Sequence, residues 1–346
     1  MKTAAAILVE QRKPLLIDEV ELPVLGYGQV LVQVKVSRIC GSQLGEIEGV
    51  KGPDKYLPHL LGHEGGGIVL EVGPEVSQVK AGDHVVLHWR PGAGIQARPA
   101  TYRLGGKTIN AGNITTFQGL SVVSENRMTR IPKEVDFETA ALLADTLTTG
   151  FGAVIRDAEV RIGESVVVIG VGGIGLGIVL GASLAGAHPV IAVDLHDHKL
   201  TKARAYGAHH AVNTSKENLA DVVWGLLGGP ADVVFDVTGN PTVIDKAWGL
   251  TGPKGRLVLV GVMKHDQQFS LNTLPLHFGK VLTGSEGGSS LPHLDIPRYL
   301  RMIRDGRFDP HGMVSHRCGL ARINEAIAEM REGTSIHTMI HFPAPL

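Results

Sequence analysis

The chain has few cysteines and almost no net charge, and both shortages exclude classes of protein. Cys40 and Cys318 are the only cysteines in 346 residues, which excludes a disulfide framework and fits a reducing compartment. The formal net charge of −1 at pH 7 gives no attraction to nucleic acid or to a membrane surface. The apolar stretch at the N-terminus is too short for a signal peptide, because Glu10 interrupts it. We therefore expect a cytoplasmic protein with no nucleic-acid or membrane partner.

Charged residues are also missing from the whole segment between Ser165 and Val193. A charge-free segment of that length is one signature of a transmembrane helix. Two β-branched runs, Val166–Ile169 and Val190–Val193, and an intervening Pro189 argue against a single helix. The pattern favours a strand, a glycine turn, a helix and a second strand, because parallel strands buried on both faces read as continuous apolar runs.

The first part of the chain is rich in patterns typical of short strands. Valines at positions 30, 32, 34 and 36 alternate with mostly polar residues, as in a half-buried strand. Residues 67–73 and 84–89 show similar patterns, with glycine-containing turns between them. We predict an antiparallel, barrel-like region, followed by a loop over 91–113.

From about residue 148 the pattern changes to alternating strands and helices, which indicates a doubly wound parallel sheet. The predicted strands are 166–169, 190–194, 211–213, 232–237 and 256–261. The predicted helices include 199–206 and 242–250 here, and 296–305 and 320–331 near the end of the chain. The fold class is α/β.

A glycine-rich turn follows the first of these strands and opens a helix. Its glycines are Gly170, Gly172, Gly173 and Gly175, and such a turn lets the pyrophosphate of a dinucleotide approach the helix N-terminus. The next strand ends at Asp194, at the spacing expected for a carboxylate that binds ribose hydroxyls and repels a 2′-phosphate. The turn therefore predicts a site for NAD in preference to NADP, the alternative being that Asp194 is a solvated strand end.

Cys40 and His63 offer a soft thiolate and an imidazole, which suit zinc. Neither residue carries a metal site by itself, because a lone cysteine is more often a small buried apolar residue than a ligand.

Six short motifs together resemble the zinc-dependent medium-chain alcohol dehydrogenases across essentially the whole chain. They are Cys40-Gly41-Ser42, Gly62-His63-Glu64, Thr149-Gly150-Phe151-Gly152-Ala153, the turn at Gly170–Gly175, Val237-Thr238-Gly239-Asn240-Pro241 and Ser335-Ile336-His337-Thr338. The resemblance implies a GroES-like catalytic domain over 1–147 and 290–346 and a Rossmann domain over 148–289.

The resemblance also implies one catalytic zinc per chain. Its ligands would be Cys40, His63 and Asp145, the last at a place where many members have cysteine, with Glu64 as an exchangeable fourth ligand. The alternative for Asp145 is a helix-capping residue. The family's second, structural zinc needs four clustered cysteines, and residues 90–117 contain none, so we expect it to be absent.

Further roles follow from the same resemblance. Ser42 would pass the alcohol proton to the ribose hydroxyls, with Gly45 where liver-type members have the next histidine of the relay. Trp89 would line the substrate pocket, unless it is an ordinary buried tryptophan, and His59, His88 and Arg90 could make that pocket polar. The residues expected to bind NAD are Gly170, Gly172, Gly173, Ile174, Gly175, Asp194, Lys199, Thr238, Val260, Val262 and His337.

Gln43 and His337 depart from the family, which commonly has Asp and Arg at these places. In the family those two side chains meet behind the zinc, and the Arg also reaches the pyrophosphate. We hypothesise that the neutral pair weakens NAD binding and makes it depend on pH as His337 titrates.

The sequence thus predicts reversible hydride transfer between a primary or secondary alcohol, or a polyol, and NAD, in a homodimer or homotetramer joined partly through residues 282–286. Two alternatives are a zinc-free enzyme of the quinone reductase type and a non-catalytic NAD-binding protein of the same fold. The presence of Cys40, His63 and Glu64 counts against both.

Overall fold

The computed structural model describes residues 1–343, which form two compact units. Unit 1 consists of Met1–Asp145 and the segment that begins at Leu291, and unit 2 is Thr146–Ser290.

Unit 1 is built on two β-structures. A closed barrel joins five strands in the order β1-β2-β7-β8-β4, and a seven-stranded sheet has the order β10-β6-β5-β3-β18-β17 with β9 also paired to β3. The strands are β1 (Lys2–Leu8), β2 (Leu16–Glu21), β3 (Gln29–Ile39), β4 (His59–Leu60), β5 (Glu64–Val72), β6 (His84–His88), β7 (Thr101–Leu104), β8 (Lys107–Asn110), β9 (Leu120–Ser124), β10 (Met128–Ile131), β17 (His316–Gly319) and β18 (Thr338–His341). The helices are α1 (Gly41–Glu48), α2 (Phe137–Ala144), α8 (Pro292–Arg304) and α9 (Ile323–Arg331).

Unit 2 contains one six-stranded parallel sheet in the order β13-β12-β11-β14-β15-β16. Its strands are β11 (Val166–Ile169), β12 (Val190–Asp194), β13 (His210–Asn213), β14 (Ala231–Asp236), β15 (Thr251–Leu259) and β16 (Val281–Gly284). Its helices are α3 (Thr146–Gly152), α4 (Gly173–Leu184), α5 (Asp197–Ala205), α6 (Leu219–Leu227) and α7 (Pro241–Leu250), with a π-helical stretch over Ala153–Asp157.

The strand order of unit 2 confirms the predicted doubly wound sheet. The chain starts in the middle at β11, moves outward to β13, and returns to continue through β14 on the other side. Sheets wound in this way bind ligands at the carboxyl ends of the strands where the order reverses. The glycine turn after β11 lies at that position.

The charge-free segment forms β11, α4 and β12, as the β-branched runs predicted. No helix among the described residues is both long enough and apolar enough to cross a bilayer.

The predicted loop over 91–113 is wrong in its second half. Strands β7 and β8 form an antiparallel hairpin there, with Leu104 paired to Lys107 around Gly105-Gly106. Tyr102 is fully buried, and its hydroxyl accepts a hydrogen bond from the Val122 N–H at 2.7 Å. A two-residue Gly-Gly connection is a known hairpin signal, so this strand pair was readable from the sequence.

Candidate functional site

Three strand ends converge in unit 1 and carry most of the predicted metal ligands. Strand β3 ends at Ile39 beside the start of β5, because Ser37 pairs with Gly65 in an antiparallel register. Strand β5 starts at Glu64 beside the end of β6, because Glu64 pairs with His88. Cys40, His63 and Trp89 are the residues just beyond these ends, so the register of the sheet brings them together.

Asp145 reaches the same place from a helix. It is the C-cap of α2, whose N-terminus is capped by Asp136 through a 2.9 Å bond from the Thr139 N–H. Residues 139–144 are all buried, because α2 packs on β5, β6 and β3. The helix thereby fixes where its last side chain lies.

Donor atoms of Cys40, His63, Glu64 and Asp145 lie within 4.8 Å of one another. Asp145 Oδ2 is 3.7 Å from Cys40 Sγ and 3.5 Å from His63 Nε2. His63 Nε2 is 3.7 Å from Glu64 Oε1. Zinc bonds of about 2.0–2.3 Å in a tetrahedron imply donor–donor separations of roughly 3.3–3.7 Å. The four residues therefore fit a zinc ion.

Unsatisfied buried atoms support the same fit. His63 Nε2 and Glu64 Oε2 are buried and have no hydrogen-bond partner outside the donor cluster among the described residues. Buried polar atoms without partners are rare in folded proteins and call for an explanation such as a bound ion. A cation among these donors supplies the missing interaction.

Arg38, which the sequence analysis did not single out, balances the charge of the cluster. Its guanidinium Nη2 lies 2.7 Å from Glu64 Oε1, and both side chains are fully buried. Burial opposes the charge on Arg38, yet the Glu64 carboxylate raises the pKa of the guanidinium above its usual value. Burial raises the pKa of Glu64, an effect that Arg38 opposes. A charged residue in the apolar strand directly before Cys40 was the available signal.

His63 lies between the anionic donors, which face its Nε2, and Gln43, which faces its Nδ1. Burial disfavours its charge, but hydrogen bonds to Asp145 and Cys40 raise the pKa of His63 well above 6.5. Gln43 Nε2 lies 2.6 Å from His63 Nδ1, while Gln43 Oε1 accepts a hydrogen bond from the Cys40 N–H at 2.9 Å. Ser42 Oγ lies 3.4 Å from the same His63 Nδ1.

Trp89 contacts the metal cluster directly. Its indole N–H donates to Asp145 Oδ1 at 3.0 Å, and its ring centroid lies 6.4 Å from that of His63. The expected polar pocket around it is not supported for His88, which is fully buried. The two ring nitrogens of His88 bond to the Arg90 carbonyl at 2.8 Å and to Thr129 Oγ1 at 2.9 Å, so no nitrogen of His88 is left for a substrate.

Gln43 and His337 bond to different partners, so the expected pairing of the two is not what the structure shows. His337 Nδ1 accepts a hydrogen bond from Arg38 Nη1 at 2.9 Å. Burial, with Arg38 adding to it, lowers the pKa of His337 well below 6.5. This direction argues against the hypothesis that His337 titrates near neutral pH.

The nucleotide turn in unit 2 has the close approaches that only glycine allows. Gly170 has a φ of +91°, and a Cβ on Gly175 would lie 1.9 Å from the Gly170 carbonyl oxygen. A Cβ on Gly172 would meet nothing within 4 Å, so the space before the N-terminus of α4 is open. Ile174 is in the first turn of that helix. A helix N-terminus with open space in front of it can bind a pyrophosphate.

Asp194 lies at the end of β12, where a ribose carboxylate is expected. Its Oδ2 accepts from the Val171 N–H at 3.0 Å, and its Oδ1 accepts from the N–H groups of Leu195 and His196. A carboxylate has about four acceptor positions, so these bonds orient Asp194 and leave capacity for a ribose hydroxyl.

Asp236, at the end of β14, is a fully buried carboxylate that the sequence did not single out. It accepts hydrogen bonds from the Thr238 hydroxyl at 2.6 Å and the Gly239 N–H at 2.9 Å, and burial raises its pKa. Its carbonyl accepts from Val260 N at 2.8 Å, which joins the predicted cofactor residues Thr238 and Val260. Its place at a strand end, like that of Asp194, was the available signal.

The other predicted cofactor residues are spread more widely. Val262 is exposed near Gly239, where a Cβ would lie 2.5 Å from the Val262 carbonyl oxygen. Lys199 is in the first turn of α5. His337 belongs to unit 1 and bonds to Arg38.

Comparison with known proteins gives the family. The profile described as "Alcohol dehydrogenase GroES-like domain" matches residues 26–133, and the one described as "Zinc-binding dehydrogenase" matches residues 173–305. S-(hydroxymethyl)glutathione dehydrogenase of Paracoccus denitrificans is 31% identical over 98% of this chain and 100% of its own. Alcohol dehydrogenase class-3 of Cereibacter sphaeroides is 32% identical over 99% and 100%.

Solved structures agree with the sequence relatives. An alcohol dehydrogenase zinc-binding domain protein from Burkholderia ambifaria superposes with a TM-score of 0.90 at 28% identity, covering 99% of this chain and 100% of that one. The chain belongs to the zinc-dependent medium-chain dehydrogenase/reductase family, as an oxidoreductase of the alcohol dehydrogenase type that acts on CH–OH donors with zinc and NAD.

Proposed function

We propose that four residues hold the catalytic zinc of this enzyme: Cys40, His63, Asp145 and Glu64. We further propose that the enzyme oxidises a primary or secondary alcohol, polyols included, with NAD. The observation that carries the proposal is the cluster of four donors within 4.8 Å, in which His63 Nε2 and Glu64 Oε2 are buried without a hydrogen-bond partner outside the cluster among the described residues. Zinc, when bound, polarises the hydroxyl of an alcohol as a Lewis acid, and NAD accepts the hydride.

Charge balance is the first task of the surrounding residues. With Cys40, Glu64 and Asp145 deprotonated, the donors carry three negative charges, and Arg38 at 2.7 Å from Glu64 cancels one of them. The remaining two negative charges match a divalent cation. Arg38 thus favours the ionised form of Glu64 at a depth where an unpaired carboxylate costs several kcal/mol.

Proton transfer is the task we assign to Ser42. Its hydroxyl can donate and accept at once, it is half-buried, and it lies 3.4 Å from His63 Nδ1. The residue three positions further, where liver-type members continue the relay, is Gly45, which has no side chain to receive a proton. We therefore assign the outward step to water.

For NAD we propose the set predicted from the sequence, with one addition. The turn from Gly170 to Gly175 takes the pyrophosphate, and Asp194 takes the adenosine ribose. Asp236 is added as a positioning residue, because it holds Thr238 and Gly239 through both of its oxygens.

We further propose a homo-oligomer in the cytoplasm. Strand β16 is the edge of the six-stranded sheet. Its first residue, Val281, is an exposed apolar residue, as are Leu274 and Phe278 in the turn before it. An apolar sheet edge is a surface that proteins normally cover. The free Cys40 and Cys318 fit a reducing compartment.

The test combines metal content with turnover. We expect one zinc per chain in the purified protein, and NADH formation from NAD with simple alcohols, polyols or aromatic alcohols that stops after chelation and returns with zinc. His63→Ala should lose more than about 90% of the bound zinc, because removing one ligand weakens a site by orders of magnitude. His277→Ala is the matched control, since His277 is exposed in unit 2.

A wild-type protein that is folded and binds NAD but takes up no zinc would contradict the proposal. Turnover that persists after chelation would favour a zinc-free reductase, and tight zinc binding without turnover across the whole alcohol panel would favour a non-catalytic protein.

A further inference from the structure

Asp145 differs from a cysteine ligand in having two oxygens to offer. The terminal torsion of an Asp side chain is broad and roughly two-fold, so either oxygen can face the ion and each can turn away from it. A cysteine at the same place presents a single sulfur. A chain with Asp in this position therefore needs a second group that decides which oxygen faces the cluster.

Trp89 supplies such a group. Its indole N–H donates to Asp145 Oδ1 at 3.0 Å, and the indole nitrogen is a donor only. Oδ2 is the oxygen that faces the other donors, at 3.7 Å from Cys40 Sγ and 3.5 Å from His63 Nε2. Oδ1 of Asp145 thus accepts the hydrogen bond from Trp89, whereas Oδ2 faces the other proposed metal ligands.

Trp89 is itself held firmly. It follows directly on β6, and its carbonyl oxygen accepts a hydrogen bond from the Arg127 guanidinium. Arg127 also donates to Gln96 Oε1 at 2.9 Å, which ties the segment after Trp89 to the turn just before β10. The ring packs against the apolar core of unit 1 and is half-buried. A fixed ring gives the N–H a fixed direction.

We propose that Trp89 is a positioning residue for the metal ligand Asp145, rather than mainly a wall of the substrate pocket. Its N–H holds Oδ1 and leaves Oδ2 turned toward the ion. The inference rests on the proposed assignment of Asp145 as a zinc ligand. Partners of this kind, behind a ligand, typically change metal affinity by about 10–100-fold when they are removed.

The test is a double-mutant cycle on zinc affinity, measured by competition with a chromophoric chelator. Trp89→Phe keeps a ring and removes the N–H, and Asp145→Cys replaces the carboxylate by a single-atom donor. We expect Trp89→Phe to weaken zinc binding at least about tenfold in the Asp145 background and less than about threefold in the Asp145→Cys background. Trp224→Phe, at a half-exposed tryptophan of α6 in unit 2, is the matched control and should change nothing.

Cobalt substitution gives a readout independent of affinity and of turnover. The d–d absorption of cobalt reports the geometry of its ligands, so it should change on Trp89→Phe when Asp145 is present and stay unchanged when Cys replaces it. A difference of less than about threefold between the two backgrounds would overturn the proposal. So would a higher KM with unchanged zinc affinity, which would make Trp89 a pocket residue.

The outcomes keep this inference apart from the proposed function. If wild-type protein takes up no zinc, the proposed function fails. If it takes up zinc and the cycle shows no coupling, only the role of Trp89 fails. Should Trp89→Phe not fold, 3-benzothienylalanine at position 89 replaces the N–H by sulfur in a ring of the same shape, and the same two thresholds apply.

Discussion

Unit 1 buries two glutamates completely, Glu64 and Glu125, and treats them in opposite ways. Glu125 accepts three backbone hydrogen bonds, from Ser77 N at 2.6 Å, Gln78 N at 2.7 Å and Ile95 N at 2.7 Å. Glu64 Oε1 lies 2.7 Å from the Arg38 guanidinium, and Glu64 Oε2 has no hydrogen-bond partner among the described residues. The fold thus supplies partners to both oxygens of Glu125 and leaves one oxygen of Glu64 without any.

The contrast separates a structural carboxylate from a binding one. Glu125 joins two separate loops of unit 1, since its donors lie at residues 77–78 and at residue 95. That second loop is part of the region where the resemblance led us to look for four cysteines and a second zinc. Ala97 N also donates to Ser124 Oγ there, at 2.8 Å. Hydrogen bonds from the backbone thus anchor a segment in which no cysteine is present.

The largest expected effect comes from removing Glu125, the carboxylate whose two oxygens both have hydrogen-bond partners. Glu125→Ala removes three hydrogen bonds to a buried charged group, each worth roughly 1.5–3 kcal/mol, so we expect the free energy of unfolding to fall by about 3–5 kcal/mol. Urea unfolding of the chelated protein measures it. Glu71→Ala, at an exposed position of β5, should change the free energy by less than about 0.5 kcal/mol. Equal losses for the two variants would contradict the structural role of Glu125.

A somewhat smaller effect on stability is expected from His88, because this histidine is fully buried and burial disfavours its charged form. Burial lowers its pKa to about 4, against about 6.5 in an unfolded chain. Above pH 6.5 both states are neutral. As the pH falls from 6.5 toward 4, the unfolded chain binds a proton and the folded chain does not, so folding loses up to about 3 kcal/mol.

Unfolding titrations at several pH values check this dependence. His88→Asn should be less stable at neutral pH but should lose less stability between pH 6.5 and 4 than the wild type. His277→Ala, at an exposed histidine, should keep the wild-type slope. A His88→Asn slope as steep as that of the wild type would show that other groups cause the acid sensitivity.

The smallest expected effect is on zinc affinity and concerns His63, the neighbour of Glu64 in the proposed metal site. When a metal takes Nε2 of His63, its Nδ1 carries the proton and needs an acceptor. Gln43 presents its amide nitrogen to Nδ1 at 2.6 Å and uses its oxygen for the Cys40 N–H. Gln43→Glu supplies an acceptor both to the Nδ1 proton of His63 and to the Cys40 N–H. We therefore expect zinc to bind about tenfold more tightly. Gln268→Glu adds the same charge at an exposed residue of unit 2 and is the control. Unchanged or weaker binding in Gln43→Glu would refute this account of the amide.

The sequence predicted the parts of the site that lie in local motifs. Cys40, His63 and Glu64 are each next to a glycine or a strand end, and the turn from Gly170 to Gly175 follows a β-branched run. Such signals depend on a few neighbouring residues, which is why the sheet of unit 2 and the nucleotide turn were predicted together.

What the sequence did not predict depends on partners far along the chain. Arg38 meets Glu64 only because Ser37 pairs with Gly65 across two strands. His337 looked like a titrating group until the structure placed it against Arg38, almost three hundred residues away in sequence. Trp89 was expected either to line the substrate pocket or to be an ordinary buried tryptophan. Its bond to Asp145 follows from a helix end that no local pattern connects to β6. Register and packing decide these contacts, and a single sequence does not display them.

The buried Arg38 also bears on how the protein acquires its metal in the cell. Because the guanidinium is positive at every physiological pH, Glu64 has a permanent counter-ion before any zinc arrives, and the donors are assembled by the pairing of β3 with β5 rather than by the ion. A protein that balances this charge internally would take up its metal after folding. With two carboxylates among its four proposed donors, the site would be more open to harder ions than an all-thiolate site.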